Sequence, residues 1–198
     1  MATSAEKFED SPESIRYQFK IILLGDGGVG KTCLANRFCY SEFVDTKLTI
    51  GLSFNSYSIL AEENGYKLRI GLSIWDFGGQ ERFRPLIPQF ISGANAALWV
   101  YDMNAFHSLL NLEKNWLPLL NQNSPNIPTI LVGEKADIVP EEERFDLETV
   151  QEFVEKLGAS RAYESSSKKG LNTTEIFKQL IKELLKEPPY NTRNITLL

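Results

Sequence analysis

The chain has 198 residues, enough for one ordinary domain with a substantial core, and its net charge of −5, with acidic residues scattered throughout, argues against a nucleic-acid footprint. Its two cysteines, Cys33 and Cys39, lie on one predicted helix about 9 Å apart, too far for a disulfide, which suits a reduced, cytoplasmic setting. No apolar run approaches the ~20 residues of a membrane span, the start MATSAEKFED is no secretory signal, and Ala2 and the lack of cysteine beyond Cys39 argue against N-myristoylation and C-terminal prenylation.

In chain order, residues 1–16 are polar and serine-bearing, as a flexible N-terminal tail would be. Residues 19–24 form a short apolar run, the pattern of a strand buried on both faces of a parallel sheet. Directly after it comes GDGGVGKT, from Gly25 to Thr32, with the glycine, four-residue and Gly-Lys-Thr spacing of a phosphate-cradling P-loop. The glycines let the backbone wrap a polyphosphate with its N–H groups pointing inward. Lys31 would meet the β- and γ-phosphates, and the Thr32 hydroxyl would ligate Mg²⁺. A helix over 30–40 would aim its positive end at the same phosphates. This stretch predicts a nucleoside polyphosphate ligand.

Residues 41–51 carry no period and are expected as a loop. Residues 54–61 and 67–76 flank Glu62-Glu63-Asn64-Gly65, a strong hairpin signal. Gly78-Gly79 breaks the pattern, and residues 77–92 are expected as loop plus a short helix. Residues 96–101 form a third apolar run, followed by a helix near 106–121 that Pro118 bends. Another buried strand falls at 127–132, and an amphipathic helix at 146–157 is closed by Gly158. A short strand at 161–164 precedes the last helix, about 172–186. Residues 188–198 are expected as a flexible C-terminal tail. The alternation gives a single α/β domain over 17–187, a mostly parallel six-stranded sheet with one antiparallel edge strand and helices on both faces.

In such a sheet a ligand sits at the carboxyl ends of the strands. The residues there are Trp75-Asp76-Phe77-Gly78-Gly79-Gln80-Glu81, Gly133-Glu134-Lys135-Ala136-Asp137 and Glu164-Ser165-Ser166-Ser167-Lys168. With GDGGVGKT and Thr49-Ile50-Gly51, they follow the motif order of the Ras-like small GTPases, and WDFGGQERFR is most similar to the Rab branch. The resemblance covers about residues 17–187.

The resemblance implies a P-loop GTPase domain that works as a GTP/GDP switch with slow intrinsic hydrolysis and bound Mg²⁺, in membrane traffic or signalling. Gly25, Asp26, Gly27, Gly28, Val29, Gly30, Lys31, Thr32 and Cys33 would line the phosphates. Thr49 would touch Mg²⁺ and the γ-phosphate in the GTP form, and Asp76 would hold the metal indirectly. Gly79 would donate its N–H to the γ-phosphate, Gln80 would orient the attacking water, and Phe43 would rest against the guanine. Asp137 would read guanine N1–H and the 2-amino group, with Lys135 packed along the base and Ser166, Ser167 and Lys168 near O6. Taken singly, Asp76 could be a strand-end cap and Phe43 a core aromatic.

The chain departs from the family where Glu134 replaces asparagine, Phe77-Gly78 replaces Thr-Ala, Ser167 replaces alanine, and lipidated cysteines are missing. Glu134 leaves two readings open. Its carboxylate sacrifices a buried hydrogen bond near the base, in which case Glu134→Asn tightens nucleotide; or it points to solvent or pairs with a lysine.

Residues 41–51 contain no arginine, so an arginine finger would come from a partner. Exchange-factor, activating and effector proteins would dock on residues 41–54 and 75–92. There Phe54, Trp75 and Phe90 match positions of nucleotide-state readout, or are core. A monomer with no encoded lipid anchor is expected, recruited to membranes only by a partner. The alternative function is a pseudo-GTPase interaction module with weakened or constitutive nucleotide binding, which Glu134 and Phe77-Gly78 favour.

Overall fold

The computed structural model describes residues 15–44, 49, 51–78, 85–192 and 194–198. Seven strands form one sheet: β1 (Ile15–Leu24), β2 (Leu52–Glu63), β3 (Tyr66–Phe77), β4 (Ala96–Asp102), β5 (Thr129–Glu134), β6 (Ala162–Glu164) and β7 (Ile195–Leu197). Their spatial order is β6-β5-β4-β1-β3-β2-β7. The ladders β1–β3, β1–β4, β4–β5 and β5–β6 are parallel, while β2 pairs antiparallel with β3 and with β7.

The apolar run of β1 is continuous because both its faces are covered. Phe19, Ile21 and Leu23 join a core layer with α1 (Lys31–Tyr40) and α6 (Thr173–Lys186). Ile22 and Leu24, the alternate residues, join the opposite layer, with α2 (Ile87–Ile91), α3 (Phe106–Asn111), α4 (Leu117–Asn123) and α5 (Leu147–Leu157). Helices therefore cover both faces of the sheet.

Between β2 and β3 the register closes on Glu63 opposite Tyr66, leaving Asn64 and Gly65 as a two-residue turn. Both have positive φ, 53° and 83°, which is why the chain needs Asn-Gly there. α5 starts at Asp146, whose carboxylate accepts from the Thr149 N–H at 2.8 Å, and ends at Gly158. In α6 the residues Ile176, Phe177, Leu180, Ile181, Leu184 and Leu185 all point inward.

The structure corrects the sequence reading at three places. β1 begins at Ile15, two residues inside the expected N-terminal tail. The helix expected near 106–121 is α3 and α4 joined by a π-turn over Leu112–Trp116, where the Leu117 N–H reaches back five residues to Leu112 O. Pro118 follows directly; its ring has no donor and crowds the carbonyl four residues back, so a widened turn accommodates it.

The third correction is the C-terminus. Ile195–Leu197 is a seventh strand, pairing with Ala61 to Glu63, so β2 is not the sheet's last strand and 188–198 is not wholly a tail. Tyr190 packs edge-on against Phe19 at 5.1 Å, and Leu197 is buried. A three-residue strand is too short to show a two-residue period and exists through its partner's hydrogen bonds.

The strand order places β1 between β3 and β4, with the chain leaving β1 to one side and returning on the other. In open α/β sheets such a switch point is where the ligand crevice lies, here beyond the carboxyl ends of β1, β3 and β4.

Candidate functional site

The loop from Gly25 to Thr32 leaves β1 at this crevice. Gly27 and Gly28 are exposed, Val29 is buried, and α1 starts at Lys31 after Gly30 with no side-chain cap, so its first N–H groups are left for another acceptor. Lys31 is 4% exposed, and its ammonium donates to Gly25 O at 2.8 Å and Asp26 O at 2.7 Å. Burial pulls Lys31 down to about 8, against the charges of Asp76 and Asp26, which raise it. A desolvated ammonium supported by two carbonyls gains from a nearby polyanion.

Three oxygen groups converge beside it. The Thr32 hydroxyl lies 2.6 Å from the Thr49 hydroxyl and donates to Asp76 Oδ2. Asp76, at the end of β3, is 1% exposed, and its Oδ1 has no partner among the described residues. Burial raises the Asp76 carboxyl above its ordinary value, with the charge of Lys31 and the two threonine hydroxyls pulling the other way. Two hydroxyls and a half-satisfied buried carboxylate are hard oxygen donors, and they fit a hydrated Mg²⁺. Among the described residues the Asp76 carboxylate is held by a threonine hydroxyl and not by a backbone N–H, unlike a strand-end cap.

The loop is braced from outside. The Asp26 carboxylate accepts from Asn111 Nδ2 at 2.6 Å and from Trp116 Nε1 at 3.0 Å. Arg37, one face along α1, donates Nε to Ser167 O at 2.6 Å and Nη2 to Lys168 O at 2.8 Å. Neither link has a sequence signal, because each joins residues at least 85 apart.

Two further loops line the other end of the crevice. Lys135 has φ 71° and its ammonium pairs with Asp102 at 2.6 Å. Asp137 Oδ1 accepts from the Ser166 hydroxyl at 2.5 Å, and Ser166 and Ser167 are buried while Lys168 is exposed. Glu134 is 2% exposed and accepts from Lys135 N at 2.9 Å, Ser167 N at 3.1 Å, the Ser167 hydroxyl at 2.6 Å and the Ser165 hydroxyl at 3.0 Å. Among the described residues it neither points to solvent nor pairs with a lysine, which corrects the second reading; its carboxylate is turned into the two loops, where it accepts from four groups.

Phe43 is 37% exposed, so it is not a core aromatic. Cys33 places its Sγ 3.6 Å from Val44 O. Gly78 donates its N–H to Gly51 O at 2.7 Å, and a Cβ on it would lie 2.4 Å from Thr49 O, so the two segments touch backbone to backbone. Gly79 and Gln80 lie outside the described residues. Phe54 is 53% exposed and edge-on to Trp75 at 5.5 Å, and Trp75 meets Phe90 at 5.9 Å, making a surface cluster. The structure thus brings together the P-loop, Thr49, Asp76 and the loops at 133–137 and 165–168.

A model of the Ras family matches residues 20–186. A putative ras-related protein Rab-5B of Dictyostelium discoideum is 36% identical over 171 residues, 84% of this chain and 75% of that protein. The ras-related protein Rab-13 of Mesocricetus auratus is 34% identical over 169 residues, 84% of this chain and 80% of that one.

Proposed function

The chain belongs to the Ras family as a Rab-like small GTPase, and from that premise we propose that it is a GTP/GDP switch of membrane traffic or signalling whose nucleotide lies in the crevice just described. The observation that carries this reading is the meeting of the Lys31 ammonium, the Thr32 and Thr49 hydroxyls and the half-satisfied Asp76 carboxylate at the mouth of the P-loop.

Gly25 to Cys33 would cradle the phosphates, with Lys31 on the β- and γ-phosphates. Thr32 and Thr49 would hold Mg²⁺ directly and Asp76 through water or Thr32. When bound, the metal supplies positive charge to the phosphate oxygens. Phe43, Lys135, Asp137, Ser166, Ser167 and Lys168 would surround the guanine, Asp137 accepting from N1–H and the 2-amino group.

In hydrolysis, water oriented by Gln80 forms a bond to the γ-phosphorus as the bond to the β–γ bridging oxygen breaks, giving GDP and phosphate. Gly79 N–H and Lys31 would stabilise the charge that develops. Loss of the γ-phosphate would release Thr49 and Gly79, loosening residues 41–52 and 77–92. Partners would read that change on the Phe54, Trp75 and Phe90 surface. Among the described residues no helix is long and apolar enough to cross a membrane.

The test is the nucleotide content of the purified protein and single-turnover phosphate release from bound GTP. Bound GDP, release in wild type and slowed release in Gln80→Leu are expected. Hydrogen exchange over 41–52 and 77–92 should differ between GTP and GDP forms; identical protection would support a constitutive interaction module instead.

A further inference from the structure

The Glu134 carboxylate sits where the P-loop, the 133–137 loop and the 165–168 loop meet. Among the described residues its hydrogen-bond partners are four donors, the N–H groups of Lys135 and Ser167 and the hydroxyls of Ser165 and Ser167. An ionised carboxylate only accepts, so chemistry and surroundings agree. Its stem is held as well, since a Cβ on Gly30 would lie 3.2 Å from Glu134 Cγ. The two loops are also tied through their backbones, Ser165 N to Gly133 O at 2.8 Å and Ala136 N to Ser165 O at 3.0 Å. The Ser165 hydroxyl is shared with Leu171 O at 3.1 Å, which leaves Ser167, giving both its N–H and its hydroxyl, as the principal partner.

We infer that Glu134 does not contact the base but acts as a buried strut, with Ser167 as its dedicated donor, that sets the spacing of the two base-lining loops and so the lifetime of bound nucleotide. The inference rests on the proposed nucleotide site and deepens it. Glu134 is a positioning residue: it holds Ser167 in place directly, and through the shared loop it fixes Asp137, itself bonded to Ser166.

The expectation for an amide at this position then reverses. Glu134→Asn shortens the side chain by one carbon–carbon bond, ~1.5 Å, which withdraws the acceptor from contacts of 2.6 to 3.1 Å. Glu134→Gln keeps the length but offers one acceptor oxygen and an NH₂. Whichever way it is turned, that NH₂ faces the backbone N–H of Lys135 or Ser167, and a buried donor is orphaned. Ser167→Ala removes the hydroxyl alone and leaves both backbone N–H bonds.

The experiment follows release of a fluorescent GDP analogue from the full chain, with hydrogen exchange on the same preparations. Both Glu134 variants should release GDP about ten- to hundredfold faster. Ser167→Ala should release it about threefold or more faster, and should add less than that in the Glu134→Gln background, because the two substitutions break one contact. Exchange should rise over 165–171 while β4, residues 96–101, is unchanged. The preference for GDP over IDP, which lacks the 2-amino group, should shrink in the Glu134 variants, which a general loss of stability would not cause. Release from Glu134→Asn equal to or slower than wild type overturns the inference. So does unchanged exchange over 165–171. Should the Glu134 variants not fold, unchanged release from Ser167→Ala overturns it. A wild-type protein that binds no GDP analogue removes the nucleotide reading, and the strut is then decided by the exchange data.

Discussion

The indole N–H of Trp116 donates to Asp26 Oδ1 at 3.0 Å, joining the π-turn on one face of the sheet to the second residue of the P-loop. Asn111, at the end of α3, takes the other oxygen of the same carboxylate. With its side chain held outward, Asp26 presents its backbone oxygen to the Lys31 ammonium. Leu112 and Trp116, the two ends of the π-turn, are both buried in the core, and from there the indole N–H reaches the P-loop carboxylate.

Trp116→Phe keeps an aromatic ring in the core but leaves Asp26 Oδ1 without its donor. Lost hydrogen bonding to a charged group costs about 1.5–3 kcal/mol, felt both as a lower melting temperature and as weaker nucleotide binding. Calorimetry of the nucleotide-free protein and a GDP titration measure the two effects. Wild-type values in both would show that the brace is idle.

Lys31→Ala and Thr32→Asn should each leave a folded protein with GTP binding weakened about ten- to hundredfold, since each removes a contact to charged phosphate or metal. Circular dichroism checks the fold and equilibrium titration with Mg²⁺ checks the binding. Unchanged affinity in both variants would remove the P-loop from the nucleotide site.

Asp146 caps α5 through the Thr149 N–H and hydroxyl, and these bonds hold its carboxyl below the usual carboxylate range. A depressed folded value means that the stabilisation is complete above the unfolded value of about 4 and is lost as pH falls through the folded one. The Asp146→Ala variant should therefore melt a few degrees below wild type at pH 7, and the gap should close in acid. A gap that persists at low pH would mean that the carboxylate is not its source.

Leu197 is 8% exposed and fastens β7 to the layer containing Ala61, Leu68 and Ile59. Leu197→Asp forfeits roughly 1.5–3 kcal/mol of apolar burial and should release β7, raising hydrogen exchange at residues 61–63. Equal protection there would show that the backbone ladder alone holds the strand.

The fold was legible wherever neighbouring residues carried the signal. The runs at 19–24 and 96–101, the Asn64-Gly65 turn and the inward stripe of α6 each report a local period or a backbone demand. The P-loop was legible because its spacing is itself the chemistry. The partners of Glu134, the reach of Arg37 to Ser167 and the docking of β7 were not, because each is settled by a residue distant in the chain. Glu134 shows the limit plainly. Its charge suggested a hydrogen bond lost at the base, and the sequence had no signal for the two serine hydroxyls and two N–H groups that hold the carboxylate instead.

Position 78 bears on anyone redesigning this protein. Borrowing the commonest residue of a family is a standard route to a hardier variant, and replacing glycine by alanine ordinarily adds about 0.4–1 kcal/mol by narrowing the unfolded ensemble. Here the family's usual alanine would bring a methyl to 2.4 Å from Thr49 O and 3.0 Å from Gly51 O. The recipe runs backwards: the averaged sequence is the one that does not fit. Thr49 and Gly51 already match the family's own motif, so no exchange of side chains there makes room; the methyl fits only if the backbone oxygens of Thr49 and Gly51 move away from position 78.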